Sequence, residues 1–187
     1  MKFCSECAQP ISHLVPEGDN RMRFVCLHCD TVHYQNPRIV AGTLPTYKGQ
    51  VLLCKRAIEP RKGYWTLPAG FMENGETTEQ GALRETLEEA NARIIHPHLY
   101  TMIAVPHISQ VHIFFHGELA DLDFFAGVES QEVQLFNEQD IPWQELAFPT
   151  VSTTLRRFFS DRKATETQSV PLPTHVFDIL PQDRLKL

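Results

Sequence analysis

Between Gly70 and Ala92 the chain reads GFMENGETTEQGALRETLEEANA. A glycine, a glutamate and the run Arg84-Glu85-x-x-Glu88-Glu89 stand there at fixed offsets, and six such positions filled by chance would recur on the order of once in 10^7 windows at average residue usage. Glu76-Thr77-Thr78-Glu79 announces a helix N-terminus, because a threonine followed by acids suits exposed N–H groups and a positive dipole end. Good helix formers then run to about Ala90. On that helix Glu85, Glu88 and Glu89 are related by i+3 and i+4, so three carboxylates crowd one face, while Leu83, Leu87 and Ala90 are expected to form the buried stripe. Ionised carboxylates this close repel one another, and a divalent cation relieves the repulsion. Oxygen donors favour Mg2+ or Mn2+ over softer metals. Arg84 can reach Glu88 one turn on and takes an orienting role. An acidic run also reads as a solvated helix face, but a solvated helix would mix lysine with its glutamates, and from Glu76 to Ala92 the one cation is Arg84. The preceding loop, Leu67-Pro68-Ala69-Gly70-Phe71, brings backbone close to the acidic face through its glycine.

Working outward to the N-terminus, Cys4-x2-Cys7 and Cys26-x2-Cys29 are separated by eighteen residues, a spacing typical of zinc sites. Four thiolates from two tight knuckles can surround Zn2+ tetrahedrally with no open position for water, which makes the site structural. Two disulfides or a redox pair are the competing reading. The start MKFCSEC has no apolar signal segment, so a cytoplasmic chain with reduced thiols is expected. His28 and His33 flank the second knuckle as alternative ligands, and Cys54, in the apolar run VLLC, reads as an inert buried thiol.

Within residues 1–36, Lys2, Arg21 and Arg23 stand against Glu6, Glu17, Asp19 and Asp30, and the whole chain carries formal net charge −6 with a sequence pI near 5.8. No basic footprint for a nucleic-acid backbone is present, and no stretch approaches a membrane span. A chain of 187 residues with 42% hydrophobic content can bury one substantial core beside a small metal-stapled module. We therefore divide it into a zinc ribbon at 1–36, a main domain at 37–165 and a tail at 166–187, with Pro37 making helix across the linker improbable. Residues 39–44 and 50–55 read as strands joined by a turn at 47–49; 99–105, 111–119 and 133–136 read as further strands, and 150–159 as a helix. Strands before and after one central acidic helix suggest an α/β fold with a mixed sheet covered by helices. The tail, with Pro171, Pro173 and Pro181 around His175-Val176-Phe177, is read either as disordered or as an extended segment laid on the body or on a dimer mate.

Tyr64, Trp65 and Phe71 flank the loop entering the acidic helix, and rings there could stack on a base; core duty is the alternative. Arg56, Arg61 and Lys62 are candidate phosphate or ribose contacts in a net acidic protein, against solvated surface as the default.

The segment 70–92 resembles the Nudix box, Gly-x5-Glu-x7-Arg-Glu-U-x-Glu-Glu-x-Gly-U with U aliphatic. Gly70, Glu76, Arg84, Glu85, Glu88 and Glu89 match it; Thr86 stands at the first aliphatic place, Asn91 at the final glycine and Ala92 at the last aliphatic. Asn91 tolerates the left-handed conformation that ends a helix, and Thr86 puts the packing under the helix in question. The resemblance implies an α/β/α sandwich and a metal-dependent hydrolase of nucleoside diphosphates linked to another group X. It assigns Glu85, Glu88 and Glu89 to the catalytic metal, with Glu76 as an outer ligand. It also places an assisting glutamate where a strand opens after the box, which makes Glu132 the candidate general base and Glu129 the second. A metal-acidified water attacking a phosphoanhydride is the chemistry such a site supplies.

Across residues 3–160 the layout is similar to ribbon-bearing Nudix pyrophosphatases acting on ADP-ribose and FAD, and also to NADH pyrophosphatases. The Ser-Gln-Pro-Trp-Pro-Phe-Pro run of the last subgroup and the upstream signature of the coenzyme A subgroup are missing. Pro106, fourteen residues past Ala92, lies near a marker proline of the ADP-ribose subgroup, although turn duty also explains it. The resemblance implies a small-molecule nucleotide substrate and a homodimer. A house-cleaning nucleoside triphosphate pyrophosphatase and a catalytically silent ADP-ribose sensor are the alternatives. Intact Glu85, Glu88 and Glu89 speak against silence.

Overall fold

The computed structural model describes residues 1–168 and 172–181. They form two compact units, one ending at Pro37 and the other starting at Arg38. In the first, β1 (Ser12–Leu14), β2 (Arg23–Val25) and β3 (Val32–His33) make a three-stranded antiparallel sheet. Each cysteine pair closes a tight turn: Ala8 N–H donates to the Cys4 carbonyl at 3.0 Å, and Cys26 N–H to the Thr31 carbonyl at 2.9 Å.

In the second unit β4 (Arg38–Tyr47) and β5 (Gln50–Arg56) form a hairpin whose two-residue turn, Lys48-Gly49, has φ of 47° and 81°. Positive φ at both positions is the turn that matches strand twist, and glycine makes it cheap. Short strands β6 (Trp65–Thr66) and β7 (Ala69–Phe71) lead into α1 (Thr78–Ala90); β8 (Ile94–Val105) and β9 (Gln110–Leu119) follow, then β10 (Ser130–Phe136), α2 (Pro149–Gln168) and β11 (His175–Asp178). The sheet order is β10-β5-β4-β9-β8-β11, with β6 on β5 and β7 on β4. β4/β9 and β8/β11 are parallel and the other pairs antiparallel. The sheet is mixed and covered on both faces. Alternate residues divide between two cores: Leu44, Leu53 and Phe114 join Val151, Leu155 and Phe158 of α2, whereas Ala41 and Phe115 join Ala82 of α1, and Leu52 and Cys54 join Ala90. This is the α/β/α sandwich expected from the sequence.

The stripe expected on α1 holds only at Ala90, with Leu83 half-buried and Leu87 outside it. Leu87 is 51% exposed, while Ala82, Thr86 and Ala90 are fully buried and Glu89 nearly so. Thr86 satisfies its hydroxyl on the Ala82 carbonyl at 2.7 Å and on Thr43 Oγ1 of β4 at 2.6 Å. A polar pair replaces an aliphatic contact, and small residues bring helix and sheet close. Helix α1 begins with a capping box, Thr77 accepting from Gln80 N–H while Gln80 accepts from Thr77 N–H. It ends at Asn91, left-handed at φ 49°, whose N–H reaches the Leu87 carbonyl.

Helix α2 extends well past the expected 150–159. Of the tail, residues 175–178 lie as an extended segment on the body, paired with Thr101–Ala104 of β8, and Ile179 is buried against Ile103 and Val105. His175 Nε2 and Tyr100 Oη both meet Asp161 Oδ2, at 2.6 and 2.8 Å. Residues 169–171 and 182–187 of the tail reading lie outside the described residues. No described helix is long and apolar enough to cross a membrane.

Candidate active site

β7 carries Gly70 opposite Ala41 of β4, directly beneath α1. A Cβ on Gly70 would fall 2.3 Å from the Glu85 carboxyl carbon, so the glycine is what admits that carboxylate to the strand. Arg84 organises the acids. Its Nε and Nη2 take both oxygens of Glu76, at 3.0 and 2.9 Å; Nη1 donates to Glu85 at 2.8 Å and Glu88 at 3.1 Å, and Nη2 also reaches the Phe71 carbonyl at 3.2 Å. The orienting role given to Arg84 therefore extends over three carboxylates and the loop.

Glu76, expected as an outer ligand, is paired with Arg84. Both its oxygens lie on Arg84, one also accepts from Glu73 N–H at 2.7 Å, and these bonds hold its carboxyl down at about pH 2. It does not line the cavity described below.

Glu85, Glu88 and Glu89 share one cavity of ≈890 Å³ with Glu129. Burial raises the Glu85 carboxyl above its usual range, with Arg84 opposing. Glu89 is pushed up to about 8, first by burial and then by the Glu85 charge, while Arg56 and the Ala69 N–H pull the other way. One Glu89 oxygen, Oε2, is buried with no hydrogen-bond partner among the described residues. The donor set is all carboxylate oxygen, and that orphaned oxygen is what a hard cation satisfies; the residues fit Mg2+ or Mn2+. The acidic helix face is thus a partly buried wall.

Glu132 is exposed on β10, opposite Lys55, and is not among the cavity residues. A register shift between Ser130 and Glu132 separates it from the loop that enters the cavity. Glu129, the second candidate, is among the residues lining the cavity. That loop is held to the end of α1 by Phe125 N–H on the Ala90 carbonyl and Gly127 N–H on the Glu89 carbonyl, at 3.0 and 2.9 Å. A Cβ on Gly127 would meet the Glu88 carbonyl oxygen at 1.8 Å, so only glycine permits the approach.

Of the candidate ring contacts, Phe71 lines the cavity, 48% exposed under the Arg38 guanidinium. Trp65 is 5% exposed in the core, edge-on to Phe136, and cannot stack on a ligand. Tyr64 lies outside the cavity lining beside Arg61. Arg56 lines the cavity, its Nε on the Pro60 carbonyl and its guanidinium 5.2 Å from the Phe148 ring centroid. Pro106 opens the 3-10 turn Pro106–Ile108 between β8 and β9, which is turn duty. Sequence reasoning missed Gln110, His112, Thr150 and Ile179, all in the lining. His112 and Phe114 share one face of β9, and the start of α2 with Ile179 turns that face into a cavity wall.

In the first unit the ligand atoms of Cys4, Cys7, Cys26 and Cys29 all lie within 4.8 Å of one another. The Cys4–Cys29 and Cys7–Cys26 sulfur separations are 3.7 and 3.4 Å, far beyond a disulfide bond of about 2.05 Å and near the edge of a tetrahedron with Zn–S of about 2.3 Å. His33 Nε2 stands 3.3 Å from Cys4 Sγ, hydrogen-bonded to a ligand sulfur and not itself in the cluster. The set fits a closed structural zinc site.

An α/β/α sandwich whose buried helix aims Glu85, Glu88 and Glu89 into a cavity beside an Arg84 clamp defines a Nudix domain. Two family models match adjoining parts of the chain: a zinc-ribbon model described as Nudix N-terminal matches residues 2–35, and the NUDIX domain model matches residues 36–159. The chain belongs to the Nudix family and carries its N-terminal zinc ribbon. It is similar to a NUDIX hydrolase from Nitrosomonas europaea of known structure, with 50% identity, a TM-score of 0.90, and 96% of this chain and 99% of that chain covered. The NAD-capped RNA hydrolase NudC of Edwardsiella ictaluri is 28% identical over 87% of this chain and 60% of the relative. An ADP-ribose pyrophosphatase of Methanocaldococcus jannaschii is 29% identical over 62% of this chain and 69% of the relative. The chain thus spans about three-fifths of the length of this NudC relative.

Proposed function

We propose that this protein is a divalent-metal-dependent pyrophosphohydrolase that cleaves the diphosphate of a nucleoside diphosphate linked to X, with ADP-ribose, FAD or NADH giving AMP and a second monophosphate. The observation that carries the reading is the convergence of Glu85, Glu88, Glu89 and Glu129 on one cavity that also has apolar walls. Glu85, Glu88 and Glu89 would hold Mg2+ or Mn2+, which when bound neutralises phosphate oxygens and acidifies water. Glu129 accepts the proton of the attacking water at a carboxylate oxygen as the water oxygen forms the new P–O bond and the anhydride P–O bond breaks. Arg84 holds Glu85 and Glu88 in place, and Arg56 offers the cationic contact for a phosphate at the same cavity. The four cysteines hold Zn2+ as a staple.

The ADP-ribose pyrophosphatase relative supports a small dinucleotide-type substrate. The names of the NudC relatives support a second reading, an RNA bearing the same diphosphate at its 5′ end. Net charge −6 favours the small molecule. Chromatographic product analysis with Mg2+ tests these readings, using ADP-ribose, FAD, NADH, a nucleoside triphosphate panel and an NAD-capped oligoribonucleotide, with Glu89→Gln as control. AMP plus a second monophosphate from wild type alone supports the proposal. Pyrophosphate from a triphosphate supports the house-cleaning alternative, and absence of any turnover contradicts the enzyme reading.

A further inference from the structure

Three polar side chains from β9 and α2 form a chain along the same cavity. Thr150 Oγ1, in the first turn of α2, lies 3.3 Å from His112 Nδ1, and His112 Nε2 lies 2.9 Å from Gln110 Oε1. His112 is 9% exposed, and burial pushes it down to about 4, so near neutral pH the ring carries one proton. An amide oxygen only accepts, which puts that proton on Nε2. Nδ1 is then bare and accepts from the Thr150 hydroxyl. The bonds run one way, from Thr150 through His112 to Gln110. With its oxygen engaged, the Gln110 amide keeps two N–H donors, and among the described residues no acceptor stands against them although Gln110 lines the cavity. Val105, Ile108 and Ile179 line the same space with apolar surface.

We propose that Gln110 is a specificity-determining residue for the ring of a bound nucleotide. Its amide donates to a ring nitrogen or ring carbonyl, and the apolar walls cover the ring faces. His112 and Thr150 are positioning residues that fix which end of the amide faces the ligand. The inference rests on the reading that a nucleotide occupies this cavity. Both adenine and flavin present acceptors of this kind, so AMP and FMN serve as separate probes.

The test is calorimetric titration of the full, zinc-loaded chain with Mg2+ and either AMP, FMN or inorganic pyrophosphate, for wild type, Gln110→Met, Gln110→Glu and Thr150→Val, with thermal melts confirming that each variant is folded. Loss of one hydrogen bond weakens the matching ring probe about tenfold in Gln110→Met. Gln110→Glu, which presents only acceptors, weakens it further, and pyrophosphate binding stays unchanged. Nitrogen-15 shifts of His112 are expected to show Nε2 protonated and Nδ1 bare. Thr150→Val lets the tautomer and the amide reverse, lowering ring affinity while leaving pyrophosphate untouched. Failure of wild type to bind either ring probe, equal loss for pyrophosphate, unchanged ring affinity in Gln110→Met, or the opposite His112 tautomer overturns the proposal. Gln110-dependent ring binding without turnover sinks the hydrolase reading alone, whereas turnover with no dependence on Gln110 sinks this one alone.

Discussion

Glu89 shows what a single side chain in this site costs and supplies. Its carboxyl, raised to about 8 from an ordinary 4.5, keeps its proton in the ion-free fold. The stability that this proton brings is complete below about pH 4.5 and is lost as pH rises through 8. His112 and His116, pushed down to about 4 from 6.5 by burial, act in the opposite sense: their contribution is present above pH 6.5 and lost as pH falls towards 4. With Mg2+ omitted and zinc retained, thermal melts should therefore give a Tm that peaks near pH 6.5 and declines towards pH 8. Glu89→Gln is expected to remove the alkaline decline, and Mg2+ to raise the wild-type Tm most at pH 8. The same substitution should lower kcat by more than about 100-fold, since even groups that only support a metal ligand cost 10- to 100-fold. The box glutamates were legible from spacing alone. That Glu89 is buried was not, because the period of α1 assigned its core face to Leu83, Leu87 and Ala90, and only the close approach of Ala41, Thr43 and Gly70 puts Glu89 beside Ala90 in place of Leu87.

At the scale of elements, α1 is fixed to the sheet by a hydroxyl pair. Thr86→Val leaves Thr43 buried without its partner and should cost about 1–3 kcal/mol in denaturant unfolding, and adding Thr43→Val should recover much of the loss. The loop from residue 120 to Glu129 is tied to the C-terminal end of the same helix, and Gly127→Ala would force two backbones apart. We expect it to destabilise by about 1–3 kcal/mol and to lower kcat, because Glu129 moves with the loop. Asn91 as helix stop was readable from residue chemistry, and so were the β4/β5 hairpin and the β8 and β9 strands. β6 and β7 are too short to show a period, and β11 gains its strand character only from β8. Ile179→Ala should cost about 2 kcal/mol, the low end for a buried isoleucine at a sheet edge.

For the whole molecule, zinc and the box acids make separate predictions. The cysteine spacing foretold the ribbon without any knowledge of its strands, because ligand count and knuckle length determine a closed site. Chelation should remove about one zinc per chain and unfold residues 1–37, whose small sheet has little core of its own; loss of amide dispersion in that segment is the measurement. The substrate was less legible than the chemistry, since Glu85, Glu88 and Glu89 lie within one five-residue stretch whereas the opposite wall is gathered from β9, the start of α2 and Ile179 just after β11. The central claim is that these three glutamates hold a divalent cation in the cavity. Its most direct test is Mn2+ binding, followed by electron paramagnetic resonance on the zinc-loaded chain and on Glu85→Gln and Glu89→Gln. The account predicts a Mn2+ site in wild type that each substitution weakens at least about tenfold; equal Mn2+ binding in all three proteins, or none in wild type, would contradict it.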